Sequence, residues 1–578
     1  MTQVESQGTG AIIQRPLGAT GAFLRTVAGL RPIQIVNRYA RRLAVPRIES
    51  RTSVGLRTPV HAIAPFPEHE PRMLGPLRFR FLNETREVSG TWDDPAWPRL
   101  WTYNLHYFDD LNAAGADGRS EWQVAMVERW LAANPIPRGT AWEPYPASLR
   151  TVNLAKWLLH TGRRDPSLLR ALDLSARAVR CQLEYHLLGN HLWANGKALY
   201  VAGLCLEGAE AAAWLTMGSR ILSAQAAEQI LADGAHLEFS PMYQGTIIED
   251  ALDVVNFAYG FGRAPPDGIV ERLPAMLAWL AAMTHPDGDI GYFNDAAPGI
   301  AHRVEVLERY AFALGIRPGP RHRLSAPDGT ALEDLAVSGY ARLESGTSTQ
   351  LAAVALCDAA SVGAKYLPGH SHADTLSFEL SVGGRRVVVN SGTSTYAEGA
   401  QRMQERGTRG HSTVELARAD SSEVWASFRC GARARITSRR IWSDDLGVHL
   451  KAEQDGYRFV PGSWMHERHW TMGRKALRIA DRVYPRVSSH VARIPVTLRF
   501  ILHPQIKLRA TGTPGCWELL DSGRVAAQFQ GEPSLDWRVE PASFALGFGN
   551  TAQTAALAGE VETDVPLEVV CEFEPGER

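Results

Sequence analysis

Two spacings of hydrophobic residues divide the chain, and the first of them is helical. From about residue 100 to residue 320, apolar residues recur every three or four positions, as they do along the buried face of an α-helix. In the stretch ASLRTVNLAKWLLH this spacing predicts one apolar stripe, made of Val152, Ala155, Leu158 and Leu159. Turn residues separate the helical segments, among them Gly189-Asn190, Gly218 and the APPDG of residues 264–268. Many helices joined by short loops predict stacked helix hairpins, arranged as a toroid or a solenoid.

The second spacing begins after residues 323–329 and has a period of two, which is typical of β-strands. The segment TLSFELSVGGRRVVVNSG predicts a β-hairpin that turns at Gly383-Gly384. One face of its first strand is predicted to carry Leu376, Phe378, Leu380 and Val382. Further alternating segments follow, so the second half is predicted to be an antiparallel sandwich or a pair of stacked sheets.

Length and charge limit the classes of protein. The chain has 578 residues, too many for one ordinary hydrophobic core, which predicts two large domains or three. Lys and Arg number 61 and Asp and Glu number 62, and the resulting net charge of -1 gives no overall field to attract nucleic acid. We therefore expect no nucleic-acid partner. An acidic ligand stays compatible with the sequence, because a basic cleft can lie within a neutral total.

The cysteines, the longest apolar runs and the first residues of the chain indicate the cellular compartment. The six cysteines are scattered without a CxxC pair, so we expect buried thiols rather than disulfides. No apolar run reaches the roughly 18 residues of a membrane span. The first 21 residues lack the pattern of a signal peptide, and a cytoplasmic location is expected. Residues 24–45 are basic and amphipathic; they predict a helix on a membrane surface or, the interpretation we favour, a packed pair of helices.

Candidate chemistry concentrates in LPGHSHADTLSFEL, residues 367–380. If a strand begins near residue 370, alternation sends His370, His372 and Asp374 to one face, with neighbours about 7 Å apart. Two histidines and an acid on one face favour a functional site over a polar rim with ordinary hydrogen bonds.

The predicted hairpin returns Asn390 towards His372, and His411 follows in TRGHSTVEL. These three side chains form a candidate cation site, although Asn is a weaker zinc ligand than Asp. From the residues alone, a metal site and a set of ordinary hydrogen bonds both remain open.

The helical half offers a second group of polar residues. In GNHLWANGKAL, Asn190 and His191 follow a glycine at a helix entry, where Asn190 is either a helix cap or a functional residue. Trp193 makes the segment more aromatic than a simple cap requires. In HLEFSPMYQG, Tyr243 precedes a helix close to Glu238; it is either a half-buried packing residue or a proton shuttle in a cleft.

Aromatic residues also surround Arg150 in WEPYPASLRTVNLAKW. Aromatic rings beside an arginine suit the binding of sugars and carboxylates. The alternative is packing at a helix start, with Arg150 bonded to a neighbouring loop. The sequence does not separate these two interpretations.

Taken in order, the motifs WEPYPASLRTVN, GNHLWANGKAL, DGAHLEFSPMYQ, GHSHADTLSFEL, NSGTSTY and TRGHSTV resemble those of the heparinase II/III-like polysaccharide lyases. The resemblance runs from about residue 95 to residue 420. It implies an α+β multidomain protein, with an N-terminal (α/α) toroid followed by a C-terminal antiparallel β-sandwich. The implied division is residues 1–60 as an extension with amphipathic helices, 61–325 as the toroid and 326–578 as the sandwich.

The resemblance also implies roles for individual residues. Asn190 and His191 correspond to the positions that neutralise a uronate carboxylate, Tyr243 to the proton shuttle and His370 to its catalytic partner. The residues expected to bind substrate are Arg150, Trp193 and Glu238. His372 corresponds to a metal ligand, completed here by Asn390 and His411. Asn390 stands where the family pattern has an acid, and HST stands where it has HNT, so this chain departs from the family at the zinc site.

The chemistry of these residue types is consistent with β-elimination from a uronic-acid polysaccharide. A uronate C5 proton is too weakly acidic to remove unless the adjacent carboxylate is neutralised, which Asn190 and His191 can do. Tyr243, with an ordinary pKa of about 10, needs positive charge nearby to act as a base, and His370 can share the proton transfer. A site between the two halves is expected, since pockets are common there.

Three functions are therefore weighed. The first is a lyase acting on an acidic polysaccharide, with a link to exopolysaccharide or capsule metabolism. The second is a catalytically weak carbohydrate-binding or exopolysaccharide-assembly protein on the same fold. The third is a metal-dependent hydrolase built on His372 and His411. The sequence does not determine the sugar, the linkage or the oligomeric state.

Overall fold

The structure is a computed structural model, and it describes residues 18–43, 46–49, 54–347, 350–487 and 493–575. The helices are α1 Gly18–Val27, α2 Pro32–Leu43, α3 Arg99–Leu105, α4 Ser120–Ala133, α5 Pro144–Thr161, α6 Pro166–Cys181, α7 Gly189–Cys205, α8 Ala209–Gln229, α9 Pro241–Gly260, α10 Ile269–Ala282, α11 Val304–Ala313 and α12 Ala400–Arg406. Within these described ranges, none of the helices combines the length and the apolar character needed to cross a membrane.

Helices α4 to α11 form the predicted toroid of helix hairpins. Helices α7 and α9 are buried on nearly every side and pack on each other and, through α7, on α5. Helices α7 and α9 therefore lie in the interior of the helical half. Their polar residues pair with one another: Lys197 of α7 lies 2.6 Å from both Asp250 and Asp253 of α9.

One predicted turn in this half is wrong. Gly218 lies inside α8, and residues 206–208 separate α7 from α8 instead. A Cβ at position 218 would lie 2.4 Å from the backbone nitrogen of Tyr200 in α7. Gly218 is therefore needed for close packing of two helices, and sequence spacing alone cannot distinguish that use of glycine from a turn.

The prediction that Arg150 binds substrate is also wrong, because the side chain lies wholly inside the helical core. Its guanidinium donates to Ser175 Oγ at 2.9 Å and to the carbonyl oxygens of His106 at 3.0 Å and Ala141 at 2.8 Å, and it lies 4.2 Å from the ring centre of Trp130. Burial lowers the pKa of Arg150 to about 9. Trp193, the second predicted substrate contact, is likewise buried in the core.

The strands are β1 Met73–Gly75, β2 Arg78–Phe81, β3 Glu84–Glu87, β4 Arg323–Ser325, β5 Ala331–Leu335, β6 Tyr340–Thr347, β7 Gln350–Asp358, β8 Phe378–Val382, β9 Arg385–Val389, β10 Val414–Leu416, β11 Val424–Trp425, β12 Arg429–Cys430, β13 Ile436–Asp444, β14 Gly447–Gln454, β15 Trp464–Met472, β16 Leu477–Pro485, β17 Ile494–Leu502, β18 Ile506–Ala510, β19 Cys516–Asp521, β20 Arg524–Gln530, β21 Asp536–Gly547, β22 Asn550–Thr563 and β23 Leu567–Pro575. Strands β1 to β3 form a small antiparallel sheet that the sequence analysis did not predict.

Two antiparallel sheets make the second half. One runs β21-β22-β17-β9-β8-β7-β6-β5-β4, with β10 beside β17, and the other runs β13-β14-β15-β16-β23-β20-β19-β18. Aromatic rings from both sheets meet between them, as Phe378 and Phe500 do with Phe573. The β8–β9 hairpin is confirmed, and Gly383 and Gly384 both have positive φ at its turn.

The segment before β8 differs from its prediction. The strand begins at Phe378 and not near residue 370, so His370, His372 and Asp374 lie in a loop. Leu376, predicted on the strand face, has a positive φ of 64°. The alternation of polar residues in this stretch therefore reflects loop contacts rather than one face of a sheet.

An apolar interface joins the helical half to the sheets. The ring of Tyr340 on β6 packs against Trp279 of α10 at 5.8 Å and Phe293 at 5.4 Å between ring centres. Trp279 also donates to Ser338 Oγ at 3.0 Å. The two halves are thus packed on each other, which fixes any side chains that meet across the junction.

None of the six cysteines forms a disulfide, and four of them are buried, as predicted. Cys181 is exposed and Cys516 is partly exposed, so the prediction of buried thiols does not hold for these two.

We expect Arg150→Ala to destabilise the protein without a selective effect on substrate binding. The substitution leaves three buried acceptors without a donor and opens a cavity, which together cost about 3 kcal/mol or more of unfolding free energy. Differential scanning calorimetry measures this as a lower unfolding temperature. Arg180→Ala, which removes an exposed arginine of α6, is the control and should leave that temperature unchanged. A normal unfolding temperature with weaker substrate binding would contradict the structural role.

Candidate active site

The four residues predicted to be catalytic meet where the helical half packs on the sheets. The ring of Tyr243 stacks on that of His370, with 4.3 Å between ring centres. His370 Nε2 lies 3.4 Å from Glu238 Oε2. Glu238 in turn accepts hydrogen bonds from Asn190, which precedes His191 on α7. Three segments of the helical half and one loop of the β half therefore form a single site.

Asn190 is held at the start of α7 by a buried carboxylate. Its backbone N–H and its side-chain Nδ2 both donate to Glu238 Oε1 at 3.1 Å. A Cβ on the preceding Gly189, which has a φ of 54°, would lie 2.6 Å from the same oxygen, so only glycine allows this approach. Asn190 is not the helix cap, because Leu188 occupies that position. Glu238, predicted to bind substrate, is buried and orients Asn190 instead.

His191 reaches the surface of the site with 29% of its side chain exposed. Its Nδ1 lies 3.1 Å from Glu184 Oε1, and its ring lies 4.5 Å from that of Tyr145. Burial opposes the charge, but the charge and hydrogen bond of Glu184 raise the pKa of His191 above its ordinary value. Glu184 is itself held by Asn195 Nδ2 at 3.0 Å. His191 is thus equipped to carry a positive charge beside Asn190.

Tyr243 lies in the first turn of α9, where Ser240 caps the helix by accepting from the Tyr243 N–H at 3.3 Å. Its hydroxyl is 3.1 Å from that of Tyr396. Burial, with the neighbouring Tyr396, raises the pKa of Tyr243 well above its ordinary value. Among the described residues, no positively charged side chain is hydrogen-bonded to the Tyr243 hydroxyl, so the expected activation as a base is missing. The raised pKa keeps the hydroxyl protonated and suits it to donate a proton.

Asp295, which the sequence analysis missed, is the carboxylate on which the β side of the site depends. Its Oδ2 lies 2.8 Å from His370 Nδ1, and its Oδ1 lies 2.8 Å from His372 Nε2. Arg402 of α12 donates to both oxygens through its two terminal nitrogens. Burial alone would raise the pKa of Asp295, but the Arg402 charge and the histidine hydrogen bonds hold it well below its usual range.

Asp374 binds the backbone of the loop that carries Asp295. Its Oδ2 accepts from the backbone N–H of Asn294 at 2.9 Å, and Asn294 Oδ1 accepts from the backbone N–H of His372 at 3.1 Å. Burial raises the pKa of Asp374 to about 6. Asp374 therefore positions the loop that carries Asp295, and Asp295 orients the histidine rings.

The predicted metal trio is close together but poorly matched to zinc. The rings of His372 and His411 are buried with 5.3 Å between centres, and His372 Nδ1 and both ring nitrogens of His411 make no hydrogen bond. Burial lowers the pKa of His372 to about 4, so both rings are neutral ligands in principle. Asn390 Oδ1, however, already accepts from the Ser412 N–H at 3.0 Å. The trio supplies no carboxylate to balance a buried divalent charge, so it is a weaker donor set for zinc than one with Asp at position 390.

A second group of ligand types lies on the helical side. His69 Nε2, Glu249 and His302 Nδ1 place their donor atoms within 4.8 Å of one another. His302 Nδ1 is 2.8 Å from Glu249 Oε2, and its Nε2 is 3.2 Å from the Glu68 carbonyl oxygen. Burial alone would lower the pKa of His302, but the hydrogen bond and charge of Glu249 raise it above its ordinary value. His69 Nε2 lies 3.4 Å from Glu249 Oε1, so both imidazoles of this group contact one carboxylate.

Comparison with known structures supports the architecture. Heparinase III superposes with a TM-score of 0.65 at 17% sequence identity, covering 83% of this chain and 76% of that chain. At this identity the similarity shows the fold, which is the predicted (α/α) toroid followed by an antiparallel β-sandwich.

Two curated relatives show the same relationship in sequence. The heparin-sulfate lyase of Bacteroides stercoris is 28% identical over 245 residues, which are 40% of this chain and 36% of that protein. The heparin-sulfate lyase of Pedobacter heparinus is 24% identical over 327 residues, which are 51% of this chain and 48% of that protein. The chain thus matches between about a third and a half of the length of these relatives.

The family models cover more of the chain than either relative. The model for the heparinase II/III N-terminus matches residues 114–314, and the model for the heparinase II/III-like C-terminal region matches residues 327–570. Together they take in most of the helical half and nearly all of the strands from β5 onward. The chain belongs to the heparinase II/III-like family.

Proposed function

We propose that this protein is a polysaccharide lyase that cleaves a uronic-acid-containing chain by β-elimination. The observation that carries the proposal is the meeting of Asn190, His191, Tyr243 and His370 at one junction between the two halves. The acidic substrate follows from the positive character of His191 beside the amide of Asn190. The named activity of the curated relatives agrees with this proposal.

In the proposed reaction, the substrate carboxylate binds against His191 and Asn190. The imidazolium lowers the cost of the negative charge that spreads onto the carboxylate as C5 loses its proton. The Asn190 amide, whose donors face Glu238 in the free protein, turns one N–H to the same carboxylate when the substrate binds. Glu238 and Glu184 act as positioning residues, because each holds one of these two groups by hydrogen bonds. The charge on His191 is the part of this arrangement that changes with pH.

The two proton transfers are assigned to His370 and Tyr243. A neutral His370 ring that donates Nδ1–H to Asp295 leaves Nε2 without a hydrogen, so Nε2 can accept the C5 proton. The imidazolium that forms lies between the carboxylates of Asp295 and Glu238, which stabilise its charge. The electrons of the C5–H bond then form a C4–C5 double bond, and the bond from C4 to the leaving oxygen breaks. Tyr243 supplies the proton to that oxygen, which suits a hydroxyl whose pKa is raised. Tyr396, at 3.1 Å, is placed to share the hydroxyl proton.

Tyr243→Phe is expected to reduce cleavage of a uronic-acid polymer by about 10²- to 10⁴-fold, the usual contribution of a positioned general acid. The measurement is ultraviolet absorbance of unsaturated uronate ends across a panel of such polymers. Binding should survive, because the ring that stacks on His370 remains.

Tyr259→Phe is the matched control, since Tyr259 is exposed on the same helix and should keep full activity. Saturated reducing ends that incorporate water would contradict elimination and favour hydrolysis. Loss of all cleavage in a chelator would contradict the metal-independent reaction and favour the metal-dependent alternative. A wild-type protein that binds such polymers without cleaving any of them would favour the binding or assembly function.

Glu184→Gln is expected to move the alkaline limb of the kcat/KM profile to lower pH. His191 must be protonated to bind the carboxylate, so activity falls as pH rises through its pKa. Glu184 is the main group that raises this pKa, while burial lowers it, and removing the charge of Glu184 leaves burial unopposed. The pH profile of Glu271→Gln, an exposed glutamate of α10, should stay at the wild-type position. An unmoved limb in Glu184→Gln would contradict the role of His191.

A further inference from the structure

We propose that α1 and α2 form a docking surface for an anionic lipid bilayer. This inference does not depend on the proposed reaction, because it concerns a face that the candidate active site does not use.

Helix α2 is attached to the protein by its polar side. Gln34 is buried and its Nε2 donates to the carbonyl oxygens of Tyr366 at 3.1 Å and Leu187 at 3.5 Å. Arg41, two turns further on, donates to the Gln182 carbonyl oxygen at 2.8 Å. These contacts join α2 to both halves of the protein, and they use residues that lie on one polar side of the helix.

The apolar side of α2 therefore faces outward. Val36, Tyr39 and Leu43 are spaced at three and four residues, so they share one stripe, and they are 63%, 62% and 88% exposed. A helix in a globular protein normally buries such a stripe against its core. Here the orientation is reversed, with the polar side down and the apolar side uncovered.

Helix α1 also carries exposed apolar side chains. Phe23 and Leu24 are both more than half exposed. Among the described residues, 21 large apolar side chains are exposed, and α1 and α2 contribute seven of them. These seven are Phe23, Leu24, Ile33, Ile35, Val36, Tyr39 and Leu43. A concentration of this kind marks an interaction surface rather than scattered exposure.

Charge identifies the partner. Residues 6–48 contain seven arginines and no aspartate or glutamate, although the whole chain has a net charge of -1. Arg25 and Arg31 form ion pairs with Glu423 and Glu228 of the rest of the protein. Arg38 and Arg42 are exposed and lie along one edge of the apolar stripe of α2. An apolar stripe edged by arginines matches a helix that lies in the interface of an anionic membrane, with apolar groups among the acyl chains and guanidinium groups at the lipid phosphates.

A second copy of the chain is less suited to the same face. A two-fold contact through α2 would bring Arg38 and Arg42 close to their own equivalents without an acidic residue on the face to balance them. A bilayer supplies that balance from its headgroups. Gln34 is bound by Leu187, three residues before Asn190, and by Tyr366, four residues before His370. Docking through α2 would therefore place the candidate active site near the lipid.

Vesicle flotation of the full chain tests the proposal. We expect the protein to float with vesicles of phosphatidylcholine containing one third phosphatidylglycerol, and to stay at the bottom with phosphatidylcholine alone. The triple variant Val36→Ser/Tyr39→Ser/Leu43→Ser should bind at least about ten-fold more weakly, because the inserted apolar groups are removed. Arg38→Gln/Arg42→Gln should weaken binding to the anionic vesicles by a similar factor.

The matched control is Val539→Ser/Leu546→Ser/Val565→Ser, which removes three exposed apolar side chains from the β half and should bind like the wild type. The proposal would be overturned if the wild type bound both kinds of vesicle equally or did not float at all. It would also be overturned if the control variant lost as much vesicle binding as the Val36/Tyr39/Leu43 variant. A dimer in light scattering that the Val36/Tyr39/Leu43 variant dissociates, without flotation, would assign the face to a second copy. The arginine variant keeps the test decisive if the apolar variant fails to fold.

Discussion

The site depends on one buried carboxylate, that of Asp295. It is shared by Arg402, His370 and His372, and the backbone of Asp295 adds two further contacts. Its N–H donates to the His370 carbonyl oxygen at 3.0 Å, and its own carbonyl oxygen accepts from Ser240 Oγ at 2.5 Å. Ser240 caps the helix that carries Tyr243. A single residue therefore sets the positions of both groups to which we assign the proton transfers, and it belongs to the loop between α10 and α11.

A second buried carboxylate, Glu238, completes the arrangement from the helical side. It lies 3.4 Å from His370 Nε2 and accepts from Asn190, so His370 stands between two acids. Buried charges of this kind are costly unless each is paired or hydrogen-bonded; here Arg402 pairs with Asp295, and Asn190 donates to Glu238. The network is therefore sensitive to the loss of any member, and the apolar interface around Tyr340 keeps its two sides in register.

Much of this architecture could be predicted from the sequence, because periodic spacing reports local structure. The helices, the β8–β9 hairpin and its Gly383-Gly384 turn follow from spacing and turn chemistry. Four residues of the family motifs, Asn190, His191, Tyr243 and His370, do come together. The charges that control them were not predictable: Asp295 and Arg402 lie in a loop and a short helix whose partners are far away in sequence, and no local pattern marks them. Arg150 and Trp193 were misassigned because an arginine among aromatic rings looks the same in a core as in a sugar site.

The assignment of His370 as the acceptor and Tyr243 as the donor is the central claim, and exchange of the C5 proton tests it directly. A uronic-acid oligosaccharide is incubated in deuterated water with the Tyr243→Phe variant, and deuterium at C5 is measured by NMR in the uncleaved substrate. The account predicts deuterium at C5 without cleavage in this variant, and no exchange in His370→Asn. Exchange that disappears in Tyr243→Phe and persists in His370→Asn would contradict it and make the tyrosine the base.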